Sequence, residues 1–521
     1  MLKKIRDVTA GIVFILCTLL FLDFTGLAAG WFGFLAKIQF LPAVLALNAG
    51  IVIALILLTL VFGRLYCSII CPLGIFQDVV ARSFSRWRKS HKKSYSWSPE
   101  KKWLRYSVLA VFIVLLVAGF TSVAVLVAPY SSFGRIVQNL LSPIWLWGNN
   151  LCAWIAEKAG GYAFEHKDVW LKSLPTFVIA SVTFVVIFIL AARNGRTYCN
   201  TICPVGTVLS FFSRFAIFRP VIDTGKCRNC HLCEKNCKAS CIDLDNHRID
   251  YSRCVDCFDC IGTCHHGAIK YKPFWKAGKV TETETMKAGK SAETVQPVKK
   301  AEVNDKAAAG DNGRRTFIST TALTLGALTM KAQEKKVDGG LAGGIGLGKK
   351  APVRETPLVP FGALSVKEFY QHCTACQLCV SQCPNGVLRP SSSLEHLMQP
   401  EMSYERGWCR VECNRCAQVC PSGPIRKYSI EEKTTMHIGT AKVDLDLCVV
   451  NRDGVSCGNC SRHCPAGAII MVKKDPKDKN SLRIPTVDES RCIGCGACEF
   501  LCPSRPYSAI HVNGLSVHRR D

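Results

Sequence analysis

Two stretches decide the fold: CRNCHLCEKNC at 227–237 and CVDCFDCIGTC at 254–264. Each is a C-x2-C-x2-C-x3-C run, the spacing that wraps a [4Fe-4S] cluster, and two in tandem give a two-cluster ferredoxin. In that arrangement the fourth cysteine of each run ligates the other cluster. One cluster then takes Cys227, Cys230, Cys233 and Cys264, and the other Cys254, Cys257, Cys260 and Cys237. Structural zinc also uses paired C-x2-C, but two complete ferredoxin repeats favour iron-sulfur. The segment CRNCH also spells a c-type haem attachment site; its overlap with a full quartet argues against haem. Cys241 stands where the second run has Ala268 and reads as a packing residue able to replace Cys237.

Four more quartets follow residue 356: Cys373, Cys376, Cys379, Cys383; Cys409, Cys413, Cys416, Cys420; Cys448, Cys457, Cys460, Cys464; and Cys492, Cys495, Cys498, Cys502. Proline follows the last cysteine of each, at 384, 421, 465 and 503, and turns the chain away from the cluster. The second and third quartets are looser, with C-x3-C and C-x8-C before the second ligand. Sequential pairing, and first with fourth and second with third, are both open. Four clusters in so short a segment form its core, so removing them unfolds it.

The chain has 31 cysteines among 521 residues. Tight quartets in a long chain indicate ligation rather than disulfides. Beyond the quartets, four cysteines lie in two copies of C-x3-C-P, and Cys17, Cys152 and Cys241 read as small hydrophobic filler. The formal charge is +26. Six clusters at about −2 each would offset about twelve units of it. Much of the remaining Lys and Arg flanks apolar stretches, so nucleic acid is not expected as a partner.

Four apolar stretches are long enough to span a bilayer: about 8–30, 39–62, 106–129 and 174–192. Lys3, Lys4 and Arg6 precede the first, and nine Lys or Arg from Arg82 to Arg105 fill the loop between the second and third. Positive charge marks these segments as cytoplasmic. The loop from 130 to 172, with Trp145, Trp147 and Trp154, then faces outward. The chain returns to the cytoplasm before Arg193 and Arg196, which places the first cluster pair there.

Stretches two and four each run into a matching segment, GRLYCSIICPLG at 63–74 and GRTYCNTICPVG at 195–206. This marks a duplicated two-span unit. Cysteines four apart share a helix face, so Cys67, Cys71, Cys199 and Cys203 together offer a tetrathiolate site. A structural pair at the membrane exit, a thiol redox pair and a metal or cluster site all remain open.

Residues 276–312 are rich in Lys, Glu, Thr and Ala and read as a flexible tether. GRRTFISTTALTLGALTM at 313–330 follows. Arg314 and Arg315 before a modest apolar run resemble a twin-arginine export signal, kept as an anchor where it is not cleaved.

The expected layout is an α-helical membrane domain of four transmembrane helices plus small α+β ferredoxin-like domains. Its parts are 1–215 membrane domain, 216–275 cytoplasmic two-cluster ferredoxin, 276–312 linker, 313–335 signal or anchor, and 356–521 four-cluster polyferredoxin. Residues 1 to about 275 resemble the NapH-type membrane ferredoxins, and 313–521 resemble the NapG-type ferredoxins. The resemblance implies an inner-membrane protein with six [4Fe-4S] clusters and a periplasmic outer module. It implies a component of a quinol dehydrogenase that relays electrons from the quinone pool to a periplasmic reductase of nitrate or nitrous oxide type, with membrane lipid around it. No catalytic residue is expected. Every cysteine motif of the membrane part lies on one side of a bilayer about 30 Å thick, so a mobile quinone is expected to bridge the cluster groups. The rival expectations are an assembly or regulatory factor for a metalloenzyme, and a wholly cytoplasmic polyferredoxin.

Overall fold

The computed structural model describes residues 1–85, 94–276, 348–478 and 480–521. The linker and the twin-arginine segment lie outside the described residues. Apolar composition and good helix formers build four principal helices: α1 (Leu2–Leu22), α2 (Ala49–Phe62), α3 (Lys102–Val117) and α4 (Leu174–Asn194). Among the described residues, α1 and α4 are the helices long and apolar enough to cross a membrane. The expectation of four such spans is therefore met by two.

Local chemistry explains the shortfall. In the second stretch Asn48 caps α2 by accepting from the Ile51 amide at 3.2 Å. The residues before it form a separate short helix, Phe40–Leu45. In the third, the helix stops at Val117, and Gly119 at φ +85° turns the chain into short turns before Pro129 starts a new helix, Pro129–Ile136. The expected outward loop from 130 to 172 is also largely helical, with a further helix over Ser142–Lys158. The Arg135 guanidinium, fully buried, donates to the Val125 and Leu126 carbonyls and ties this segment back on itself.

The outward faces of the principal helices expose Ile12, Ile15, Ile53, Leu57, Val111, Val114, Val182 and Ile189. The duplication is visible in the fold. Each two-helix unit ends in a C-capping glycine, Gly63 at φ +73° and Gly195 at φ +70°. A short helix follows in each, Leu65–Ile69 and Thr197–Thr201, and then a proline-started helix, Pro72–Ser83 and Pro204–Ser213.

The described strands form five two-stranded antiparallel sheets. In the inner module Phe218–Ile222 pairs with Ile269–Pro273, closing its two ends together. In the outer module Met436–Val443 pairs with Ile510–Arg520, enclosing the third and fourth quartets.

The modules sit at opposite ends of the bundle. At one end of α4, the Arg196 amide donates to the Lys238 carbonyl of the inner module at 2.9 Å. At the other end Lys172 donates to Val380 of the outer module. The 21 residues of α4 separate the two contacts by about 30 Å. α1 repeats the pattern, with Lys3 bonded to Asp259 at 2.8 Å and Gln382 donating to the Leu20 and Asp23 carbonyls.

Candidate iron-sulfur centres

The inner module brings together the crossed sets expected from spacing. Cys227, Cys230, Cys233 and Cys264 line one hollow. Cys237, Cys254, Cys257 and Cys260 line another, and Cys241 joins them with its sulfur 3.5 Å from Cys237. Spacing left Cys241 as filler; the fold puts it on the wall of the second hollow. Cys17 is buried as filler should be, whereas Cys152 is exposed and packs no core.

The outer module settles what spacing left open, because its quartets exchange their last cysteines in sequential pairs. Cys409, Cys413 and Cys416 share a hollow with Cys383. Cys373, Cys376 and Cys379 lie within electrostatic reach of Cys420. Cys448, Cys457 and Cys460 line a hollow with Cys502, and Cys464 lies near Cys492 and Cys495. The two pairs meet where the Cys409 amide donates to the Cys495 carbonyl at 3.0 Å. Tyr404, fully buried, fixes that junction by donating to Gly494 at 2.6 Å.

These thiols fit the group the spacing implies. Burial pushes Cys376 and Cys409 up to about 11 and Cys460 up to about 12. Such thiols become ligating thiolates only when metal charge compensates them. A single tetrahedral ion with bonds of about 2.3 Å would hold its sulfurs about 3.8 Å apart. Among the described residues no group of three or more Cys, His, Asp or Glu side chains is placed to hold a single metal ion.

Cations sit beside the cysteines, although sequence reading assigned them no role. Lys433, fully buried, donates to the Cys409 sulfur at 3.2 Å and to the Cys413 carbonyl. Lys349 donates to the Phe500 and Cys502 carbonyls. Burial lowers Lys349 and Lys172 to about 8, against the opposing pull of nearby cysteines. A single lysine gives no pattern, so no sequence signal marks these positions.

The C-x3-C-P cysteines are placed differently from the one-face helix expected. Cys67 and Cys199 lie in the short helices, whereas Cys71 and Cys203 are the N-caps of the proline-started helices that follow. The chain bends at Ile70 and Ile202, and this bend rather than helical periodicity turns each pair inward. All four are buried, each 4% exposed. Cys71 lies within electrostatic reach of Cys67 and Cys199, and Cys203 of the other three.

The repeats exchange their arginines across this group. Arg64 of the first donates to Asn200 and Gly206 of the second. Arg196 of the second donates to the Cys67 carbonyl and, through two nitrogens at 2.8 Å, to Asp78 of the first. Arg64 also reaches the inner module at the Arg253 and Cys254 carbonyls. Asp78 additionally binds Arg6 and lies 3.6 Å from Lys238. Burial alone would raise the Asp78 carboxyl, but these cations hold it well below the usual carboxylate range. The repeat marked Arg64 and Arg196 in sequence. Asp78 was invisible there, since its counterpart in the second repeat is Ser210.

The comparisons follow this layout. The 4Fe-4S binding domain family matches residues 45–92 and 175–222, and the 4Fe-4S dicluster domain family matches 372–450 and 455–505. An uncharacterized protein of Methanocaldococcus jannaschii is 34% identical over 103 residues, 20% of this chain and 41% of that protein. The methylamine utilization ferredoxin-type protein MauM of Methylobacillus flagellatus is 33% identical over 153 residues, 28% of this chain and 64% of that protein. The chain thus spans less than two thirds of the length of both. The ferredoxin-type protein NapG of Escherichia coli is 30% identical over 208 residues, 38% of this chain and 84% of NapG. No solved structure matches. With 4Fe-4S families matching both repeats of the bundle and the outer module, and NapG matched over most of its length, the chain belongs to the NapG-type ferredoxins, as an iron-sulfur electron-transfer protein.

Proposed function

We propose that this protein is a multi-pass membrane electron relay that takes electrons from quinol and delivers them, through the outer clusters, to a soluble redox enzyme outside the cytoplasm. The observation that carries it is the seating of the two ferredoxin modules on opposite ends of one helix bundle, with exposed apolar side chains between them. A contiguous apolar surface of that kind suits lipid. The charge bias at the Lys3 end assigns that end, with the inner module, to the cytoplasm.

Six cysteine sets in this reading hold six [4Fe-4S] clusters, which when bound supply one-electron carriers. The chain's own residues position and compensate them: Lys433, Lys349 and Lys172 beside the outer clusters, and Arg64 with Lys238 beside the inner. A cavity of about 640 Å³ beside the Lys3 end, lined by Arg6, Asp7, Gly11 and Arg82, is the site proposed for quinol. Asp7 holds the Arg6 and Arg82 guanidiniums on its wall, each at 2.9 Å. The terminal acceptor is proposed by family analogy as a nitrate- or nitrous-oxide-type reductase.

The test uses sealed inverted membranes carrying the full chain. Added menaquinol should bleach the cluster absorbance, and Asp7→Asn should slow the bleaching at least tenfold. A C-terminal reporter should be active only outside the cytoplasm. A cytoplasmic reporter sinks the two-sided reading in favour of a cytoplasmic polyferredoxin. Clusters that stay oxidised favour an assembly or regulatory role.

A further inference from the structure

We propose that Cys67, Cys71, Cys199 and Cys203 jointly ligate a seventh iron-sulfur centre, which wires the inner cluster pair to the outer ones through the bundle. Four observations point to it.

The first is convergence. Four free thiols from two distant repeats share one buried site, and the wall around them is polar: the Gln77 amide donates to the Cys199 sulfur at 3.2 Å, and the Gly206 amide donates to Cys203 at 3.3 Å. The Gln77 carbonyl oxygen is buried without a partner. A purely structural cysteine pair has no use for such a wall, since buried polar groups are costly unless they serve something.

The second is stoichiometry. The 4Fe-4S binding domain family matches each repeat separately, yet residues 45–92 contain only Cys67 and Cys71, and residues 175–222 only Cys199 and Cys203. Neither half can supply the four thiolates a cluster needs. Together they can, and the exchanged Arg64 and Arg196 hold the halves together.

The third is charge. Oxidised clusters with four thiolates carry about −2. Arg64 and Arg196 face this group, and Cys71 and Cys203 cap helix N-termini, where partial positive charge favours thiolate.

The fourth is position. On the inner side Arg64 touches both Cys67's surroundings and the Cys254 carbonyl. On the outer side Tyr66, beside Cys67 and Cys71, neighbours Tyr130, which in turn neighbours Cys376 and Cys420. The outer module reaches inward because the Cys376 carbonyl rests on Gly134, where a Cβ would lie 2.3 Å from it. The expected gap between the cluster groups is thereby bridged by protein. One electron enters as a reduced inner cluster returns to its oxidised level, and leaves as an outer cluster is reduced. No bond or proton moves.

This rests on the reading of the chain as an electron carrier, and the test separates the two. The purified full chain should contain iron and acid-labile sulfide beyond six [4Fe-4S] clusters, by about two or four of each. A Cys67→Ala/Cys199→Ala variant should lose that excess and one electron paramagnetic resonance signal, keeping the rest. Gln77→Leu, which leaves all ligands in place, should shift that signal alone, and it decides the matter if the cysteine variant does not fold. Equal iron in wild type and variant, zinc in place of iron, or a Cys67–Cys71 or Cys199–Cys203 disulfide in the native protein overturns the proposal. A seventh signal that menaquinol fails to reduce breaks only the quinol relay.

Discussion

The two ferredoxin modules are attached to the same bundle by different physics. The outer module shares one continuous hydrophobic core with the helices, running from Phe21 and Tyr130 through Cys376 to Ile510. The inner module has a small core of its own around Ile242, Ile249 and Ile269. Its principal joints are charged or aimed at carbonyls, through Asp78, Arg196, Lys238, Lys3 and Arg64. The outer joint adds to the Lys172 bond neutral amides, as where Asn139 donates to Gln377 at 3.0 Å, and cation–ring contacts, with the Arg389 and Arg406 guanidiniums over Trp170. The inner joint is therefore all-or-none about a few charges, while the outer one is spread over many small contacts.

Removing the shared carboxylate should break the contrast most sharply. Asp78→Ala leaves Arg196 buried without its anion and Arg6 with Asp7 alone, which costs about 3–5 kcal/mol. Limited proteolysis should show the inner module released and the outer one still docked.

Acid should weaken the two modules in different pH windows. Burial lowers His518 of the outer module from 6.5 to about 4. Its contribution is thus complete above the unfolded value and is lost as pH falls from 6.5 towards 4, on the order of 3 kcal/mol. Asp78 and Asp259 are held below the usual carboxylate range, so the inner joint keeps its stability until the pH falls into that range and loses it progressively from there down. Thermal unfolding from pH 7 to 4 should show the outer module destabilised first, and His518→Leu should flatten its response.

Crowding the outer seat comes next. At Gly134 a Cβ would meet the Cys376 carbonyl at 2.3 Å and the Phe21 ring at 2.8 Å. Gly134→Ala should cost about 1–3 kcal/mol of docking, read as faster hydrogen exchange confined to the outer module. The smallest effect belongs to Gln382→Ala, which removes donors to Leu20 and Asp23 for about 1–2 kcal/mol. If it equals Asp78→Ala, the contrast between the joints is wrong.

Particular residues show how far the sequence could be read. C-x2-C-x2-C-x3-C fixed the ferredoxin sets in the inner module because cluster geometry imposes that spacing locally. The duplicated GR-x-YC-x3-CP segments announced themselves as a pair. Of four apolar stretches the described helices carry two at spanning length, since hydropathy counts apolar residues and does not see that Asn48 and Gly119 break the stretches they sit in.

What the sequence determined alone was therefore the chemistry of short range: which cysteines act together within a run, where helices begin, and which family the parts resemble. Only the tertiary structure decided relations between residues far apart. It chose sequential pairing for the outer quartets, carried Arg64 and Arg196 across to each other's repeats, supplied the unrepeated Asp78, and pressed Cys376 against Gly134. Spacing along a chain encodes contacts that one turn can close. Contacts closed by the packing of distant segments depend on shape and charge that no single run contains.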